Sequence, residues 1–108
     1  MHAVIFEVTP KLEHVDDYLY TAATLLEDLR KIDGFISIER FSSLSEEGKI
    51  LSLSFWRDEE AIQEWREHTK HRRAQQLGRF SFFQDYRLRI GSINRDYGLH
   101  DREQVPVS

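Results

Sequence analysis

The chain has 108 residues, 40% of them apolar and 12% aromatic, no cysteine, and a formal net charge of −4. That size accommodates one domain around one core, and the missing cysteines exclude disulfides, thiolate metal sites and thiol nucleophiles. No apolar run reaches the ~20 residues of a membrane span, and Met1 to Glu7 lacks the basic start and long apolar stretch of a secretory signal, so a soluble cytoplasmic domain is expected.

Charge is unevenly spread. Residues 1–56 carry five Lys or Arg against ten Asp or Glu, residues 57–95 nine against six, and residues 96–108 one against three. Eight of the eleven arginines fall between Arg57 and Arg95. A nucleic-acid domain usually shows a clearly basic face and a high isoelectric point, whereas the value here is about 5.7. Neither nucleic acid nor membrane is expected as a partner.

The first segment, Ala3 to Val8, is rich in β-formers and stops at Thr9-Pro10, where proline cannot donate a ladder hydrogen bond. Leu12 to Lys31 then reads as a helix, with Val15, Tyr18, Leu19, Ala22, Leu25, Leu26 and Leu29 at three- and four-residue spacing. Arg30 and Lys31 suit its C-terminal dipole, and Asp33-Gly34 supplies a stop. Two strands follow, Phe35 to Ser43 and Lys49 to Arg57, joined by the polar loop Ser45 to Gly48. Asp58 is a strong N-cap candidate for a second helix through Ala61, Ile62 and Trp65 to His68. A break near Thr69-Lys70 precedes a last helical piece, His71 to Leu77, which Gly78 ends. Phe82 to Ile90 alternates like a strand, and beyond Tyr97-Gly98 the periodicity is lost.

The order β-α-β-β-α-β predicts an α+β, ferredoxin-like fold: a four-stranded antiparallel sheet with two helices on one face. Residues 1–98 form this domain and 99–108 a C-terminal tail. The period of two places Ile36, Ile38, Leu51, Leu53 and Phe55 toward the helices. The opposite face then carries Phe41, Trp56 and Phe83 beside Glu39, Asp85, Arg87 and Arg89. Large apolar groups on an open face mark an interface, so a homodimer packed sheet against sheet is expected. Glu39, Phe41, Trp56, Asp85, Arg87 and Arg89 are its predicted contacts.

The detailed sequence resembles the antibiotic biosynthesis monooxygenase family of small dimeric α/β-barrel proteins. The resembling segments are Ser54-Phe55-Trp56-Arg57-Asp58-Glu59-Glu60-Ala61-Ile62, then Trp65, His68, His71-Arg72-Arg73-Ala74-Gln75 and Leu77-Gly78-Arg79. Phe82 to Arg89 and Arg95-Asp96-Tyr97-Gly98 complete them. The resemblance implies a dimer whose sheets form a barrel, with a pocket between sheet and helices in each subunit. It also implies oxygenases of phenolic or quinol-like aromatics that use no metal or flavin, so no cofactor is expected. A heme-degrading branch shares a tryptophan with Trp65. Its ligating histidine falls near Gln75 here, and its first-strand asparagine is missing from a strand that carries Glu7.

Three side chains can move protons in such a pocket: His68, His71 and Tyr86. His68 and His71, three apart, share one side of a continuous helix. They admit a structural role, proton transfer or metal binding, but no third ligand has a recognisable spacing and no HExxH motif occurs, so no metal site is assigned. Phe6, Phe55, Trp65, Arg79 and Phe82 are the expected pocket residues, with Arg79 available for an anionic group. Tyr86 can hydrogen-bond a phenolic substrate. The expected function is cofactor-independent oxygenation of a small aromatic or quinol-like compound. The alternatives are a non-enzymatic ligand-binding or structural dimer of the same fold and, third, a heme-binding protein.

Overall fold

A computed structural model of the chain describes residues 1–77 and 81–107, apart from the side chains of residues 69–71 and 75. The elements are β1 (His2–Pro10), a 3-10 turn (Leu12–His14), α1 (Val15–Arg30), β2 (Phe35–Ser42), β3 (Ile50–Trp56), α2 (Glu59–Glu67), α3 (Thr69–Leu77) and β4 (Phe83–Ser92). The sheet order is β2-β3-β1-β4, with every neighbouring pair antiparallel. The ferredoxin-like α+β architecture is as expected, with the helices on one face. Among the described residues no helix is long and apolar enough to cross a membrane.

The faces of the sheet differ from the expectation. Leu29, Ile32, Trp56, Ala61 and Trp65 form the buried core, with Val4, Leu25, Leu26, Phe35, Ile38 and Ile62 packed against it. Trp56 is only 2% exposed, so β3 turns Trp56 and, by its period of two, Ser54 and Ser52 toward the helices. Leu51, Leu53 and Phe55 point the other way. Two causes explain the inversion. An indole is large enough to fill the space between sheet and helices by itself, and its N–H donates to the Ser54 hydroxyl at 2.9 Å, so it is buried without an orphaned donor. A register shift between Phe35 and Ser37 then puts Phe35 opposite Trp56 and Ile38 opposite Ser54. Ile36 is left 52% exposed.

The corner after β3 is locked by short polar contacts. The Asp58 carboxylate accepts from Ala61 N–H at 2.9 Å, the expected N-cap. Arg57 donates to both oxygens of Asp33 at 3.2 Å and to Asp58 at 3.0 Å, and its backbone N–H donates to the Gly34 carbonyl at 2.7 Å. Gly34 has φ +95°, and a Cβ there would lie 2.8 Å from that of Ala61. Only glycine fits both the backbone and the approach of α2.

Trp56→Ala is expected to destabilise the folded chain by ~3–5 kcal/mol, the usual range for a buried aromatic. Denaturant unfolding checks this: a loss below about 1 kcal/mol would return Trp56 to the surface.

Candidate functional site

β1 is the central organiser of the site because alternate residues reach the helix side: His2, Val4, Phe6 and Val8. Their β4 partners on that side are Ser92, Ile90, Leu88 and Tyr86. α1 and α2 cover the β3 half of this face through the Trp56 core, but Tyr86, Leu88 and Ile90 stay 45, 44 and 43% exposed. The result is a partly uncovered apolar strip along the β1–β4 side of the sheet, made of Val4, Phe6, Leu88 and Ile90.

An aromatic cluster lies at one end. Phe6 lies 5.7 Å from Phe83 and 5.8 Å from Tyr86, ring centre to ring centre, and Tyr18 of α1 meets Phe83 edge-on at 5.6 Å. Phe83 was expected on the opposite face. A register irregularity at Thr9/Pro10 carries it to the helix side. Phe82 precedes β4; its ring stacks near His14 at 5.1 Å, and the His14 imidazole pairs with Asp17 at 2.8 Å.

Trp65 and His68 lie on the α2 side of the core. Trp65 belongs to the core cluster that Val4 touches, and Val4 is one pleat repeat, roughly 7 Å, from Phe6. α2 ends at Glu67, and His68 itself, with ψ 130°, is the break between α2 and α3. It lies slightly before the expected break at Thr69-Lys70. Its N–H donates to the Trp65 carbonyl at 3.0 Å and its carbonyl accepts from Arg72 N–H at 2.9 Å, so His68 joins both helices. Its ring lies 5.3 Å from that of Trp65, tilted by 31°. Its Nδ1 is buried and has no hydrogen-bond partner among the described residues.

The expected site residues therefore separate. Phe6 and Tyr86 come together, as do Trp65 and His68, all on the helix side. Phe55 is corrected to the helix-free face, opposite Ala3 in the β1–β3 register, and Trp56 to the core. His71 is in α3, where its side chain is outside the described residues, and Arg79 is outside them altogether. Tyr18 was missed as a site residue because its spacing fits an ordinary core stripe, and Phe83 because strand alternation puts it on the opposite face. Among the described residues, no three His, Asp or Glu side chains converge as a metal site would require.

The helix-free face presents Ile5, Leu51, Leu53, Phe55 and the 42%-exposed Phe41. Beside them Arg89 donates to Glu7 at 2.7 Å, and Lys49 bridges Glu7 at 3.6 Å and Glu46 at 3.3 Å. Arg89 thus finds its partner in its own chain instead of in Glu39 or Asp85. Asp85 accepts the Tyr86 backbone N–H at 2.9 Å.

An antibiotic biosynthesis monooxygenase family model matches residues 1–77. The chain belongs to this family. It is 48% identical, over 97% of its length, to a jasmonate monooxygenase of Pyricularia oryzae, and spans about half (49%) of that longer protein. It is also 31% identical to the uncharacterised YqjZ of Bacillus subtilis, over 87% of this chain and 80% of that one. Among solved structures it overlays on SnoaB, a cofactor-independent oxygenase from Streptomyces nogalater, with a TM-score of 0.76 and 8% identity, covering 88% of this chain and 94% of that one. At that identity the likeness is one of fold.

The Arg89 hydrogen bond, followed by the charge of Lys49, holds the Glu7 carboxyl below its ordinary value of 4.5. A depressed folded-state value means that the ion cluster stabilises the fold above the unfolded value and loses this contribution as pH falls through the folded one. Below about pH 4.5, Glu7→Gln is expected to lose stability less steeply than the parent in denaturant titrations at stepped pH. Parallel curves would contradict the assignment.

Proposed function

We propose that the chain is a monooxygenase of small ring compounds that carry an acidic or enolisable position, and that the substrate anion reacts directly with O2. The observation that carries this reading is the half-exposed apolar strip of β1 and β4 on the helix side, with Tyr86 in its aromatic cluster; the unpartnered His68 Nδ1, beside Trp65, is the candidate base. Family membership favours oxygenation, and the Pyricularia oryzae relative is named for jasmonate, a small cyclopentanone carboxylate. Aromatic quinol-like compounds and ring ketones share the property the chemistry needs, a proton whose loss leaves an electron-rich anion.

His68 is the base in this scheme, and the apolar strip orients the ring. Loss of the proton lets carbon add to O2. Collapse of the resulting peroxide turns a methylene into a carbonyl: CH2 plus O2 gives C=O plus H2O, with the substrate supplying the electrons. Tyr86 hydrogen-bonds the oxygen on which the anionic charge collects.

Oxygen uptake with a panel of quinols, polyphenols and cyclic ketones, with 18O2 incorporation into product, tests the proposal. For an accepted compound, His68→Ala is expected to lower kcat ~10²–10⁴-fold, the span of general-base catalysis, and Tyr86→Phe up to roughly tenfold, as for one lost hydrogen bond. Ligand-dependent change in tryptophan fluorescence without turnover across the panel would favour a binding protein of the same fold. Full activity of His68→Ala would remove the base.

We infer further that two chains pack through the helix-free face, burying Ile5, Phe41, Leu53 and Phe55 and bringing Glu39 and Asp85 to the partner's Arg87. The apolar row, half-buried at Ile5, Leu53 and Phe55 and exposed at Phe41, is flanked by both charge signs and supports this arrangement. Light scattering is expected to give twice the 12.9 kDa chain mass, and Leu53→Asp to return the protein to 12.9 kDa. A monomeric parent at micromolar concentration would contradict it.

A further inference from the structure

A recess lies between α1 and α3, one helical turn along α1 from Tyr18. Thr21, Thr24 and Leu25 line one wall and Arg73, Ala74 and Leu77 the other, around an open depression of about 300 Å³. That volume is at the lower end of small-molecule sites. Each wall repeats one pattern. Thr21 and Leu25 are four residues apart on α1, as are Arg73 and Leu77 on α3, so each helix offers a polar group and, one turn on, an apolar one.

Two of the three polar groups, Thr21 and Arg73, are donors with no acceptor among the described residues. The Thr24 hydroxyl is spent on the Thr21 carbonyl at 2.7 Å, which leaves Thr21 as the hydroxyl able to donate into the cleft. Arg73 forms no ion pair with any described residue, whereas Arg57 is held by Asp33 and Asp58, and Arg89 by Glu7. Among the described residues no carboxylate lines the cleft, and the nearby Asp17 on α1 is occupied by His14. A guanidinium on one wall and a hydroxyl on the other, with apolar groups between and no carboxylate in the described lining, are complementary to a carboxylate on an aliphatic body. A neutral amphiphile would leave the guanidinium unused, and a fully polar anion would leave Leu25, Ala74 and Leu77 uncovered.

We propose that the α1–α3 cleft binds small amphipathic carboxylates, with Arg73 and Thr21 holding the head group and Leu25, Ala74 and Leu77 the aliphatic body. The site stands apart from the sheet-side strip, and its occupancy does not depend on turnover there.

Titration of the 15N-labelled protein with decanoate and with decanol tests the proposal. Decanoate is expected to shift α1 and α3 amides and to bind at least tenfold more tightly than decanol. Arg73→Gln, a change at an exposed position whose fold circular dichroism verifies, is expected to weaken decanoate about tenfold and to abolish the preference. Ala74→Phe, which fills the cleft, is expected to weaken both ligands. Equal binding of the acid and the alcohol, an unchanged affinity in Arg73→Gln, shifts confined to β4, or no binding of either ligand at millimolar concentration would each overturn the assignment.

Discussion

The hydrogen bond from the Trp56 indole to the Ser54 hydroxyl orients everything else in this domain. A buried indole must place its N–H, and a serine two residues back on the same strand supplies the acceptor without help from another element. Once Trp56 enters the helix layer, β3 has no freedom left. Its serines follow inward, and its leucines and Phe55 are driven to the other face. Small Ser52 and Ser54 also let the helices approach the sheet closely, which brings Trp65, Leu29 and Ile32 onto the Trp56 ring. The apolar row that dimerisation is inferred to bury is therefore a by-product of how one tryptophan is satisfied.

That dependence explains which features were legible in the sequence. Element order, the Asp58 cap, the Gly34 stop and the helix break near His68 all follow from local chemistry: a carboxylate for orphan N–H groups, a positive φ, a lost periodicity. The face of β3 did not follow. Alternation gave two candidate faces, Leu-Leu-Phe and Ser-Ser-Trp, and hydrophobicity favoured the first. The deciding fact, that one large ring with an internal hydrogen bond outweighs three smaller apolar groups, is tertiary. Phe83 and Ile36 were misplaced for a related reason: a register shift moves side chains to the other face without any change in composition.

The candidate site was legible in its members more than in its layout. Phe6 and Tyr86 lie on the helix side of the sheet, with Trp65 in α2 and His68 just after it, but neither the residue pattern nor the resemblance could show that β4 stays partly uncovered by the helices. The strip exists because α1 and α2 concentrate on Trp56, at the β3 half, leaving the β4 half of the same face partly open. His68 owes its place to backbone geometry. As the residue where two helices meet, it has a main chain fixed from both sides, so the imidazole is held by structure that substrate contact need not supply.

The register shift in β2 has a last consequence. β2 and β4 are the outer strands of the sheet, and a free strand edge is a template for uncontrolled pairing with other chains. The irregularity at Phe35–Ser37 breaks the even spacing of hydrogen-bonding groups along one edge, and Asp85, Arg87 and Arg89 place charge along the other. A fifth strand therefore finds a poor match on either side. Lateral growth into fibrils is discouraged at the edges, and contact between copies is steered to the flat face of the sheet.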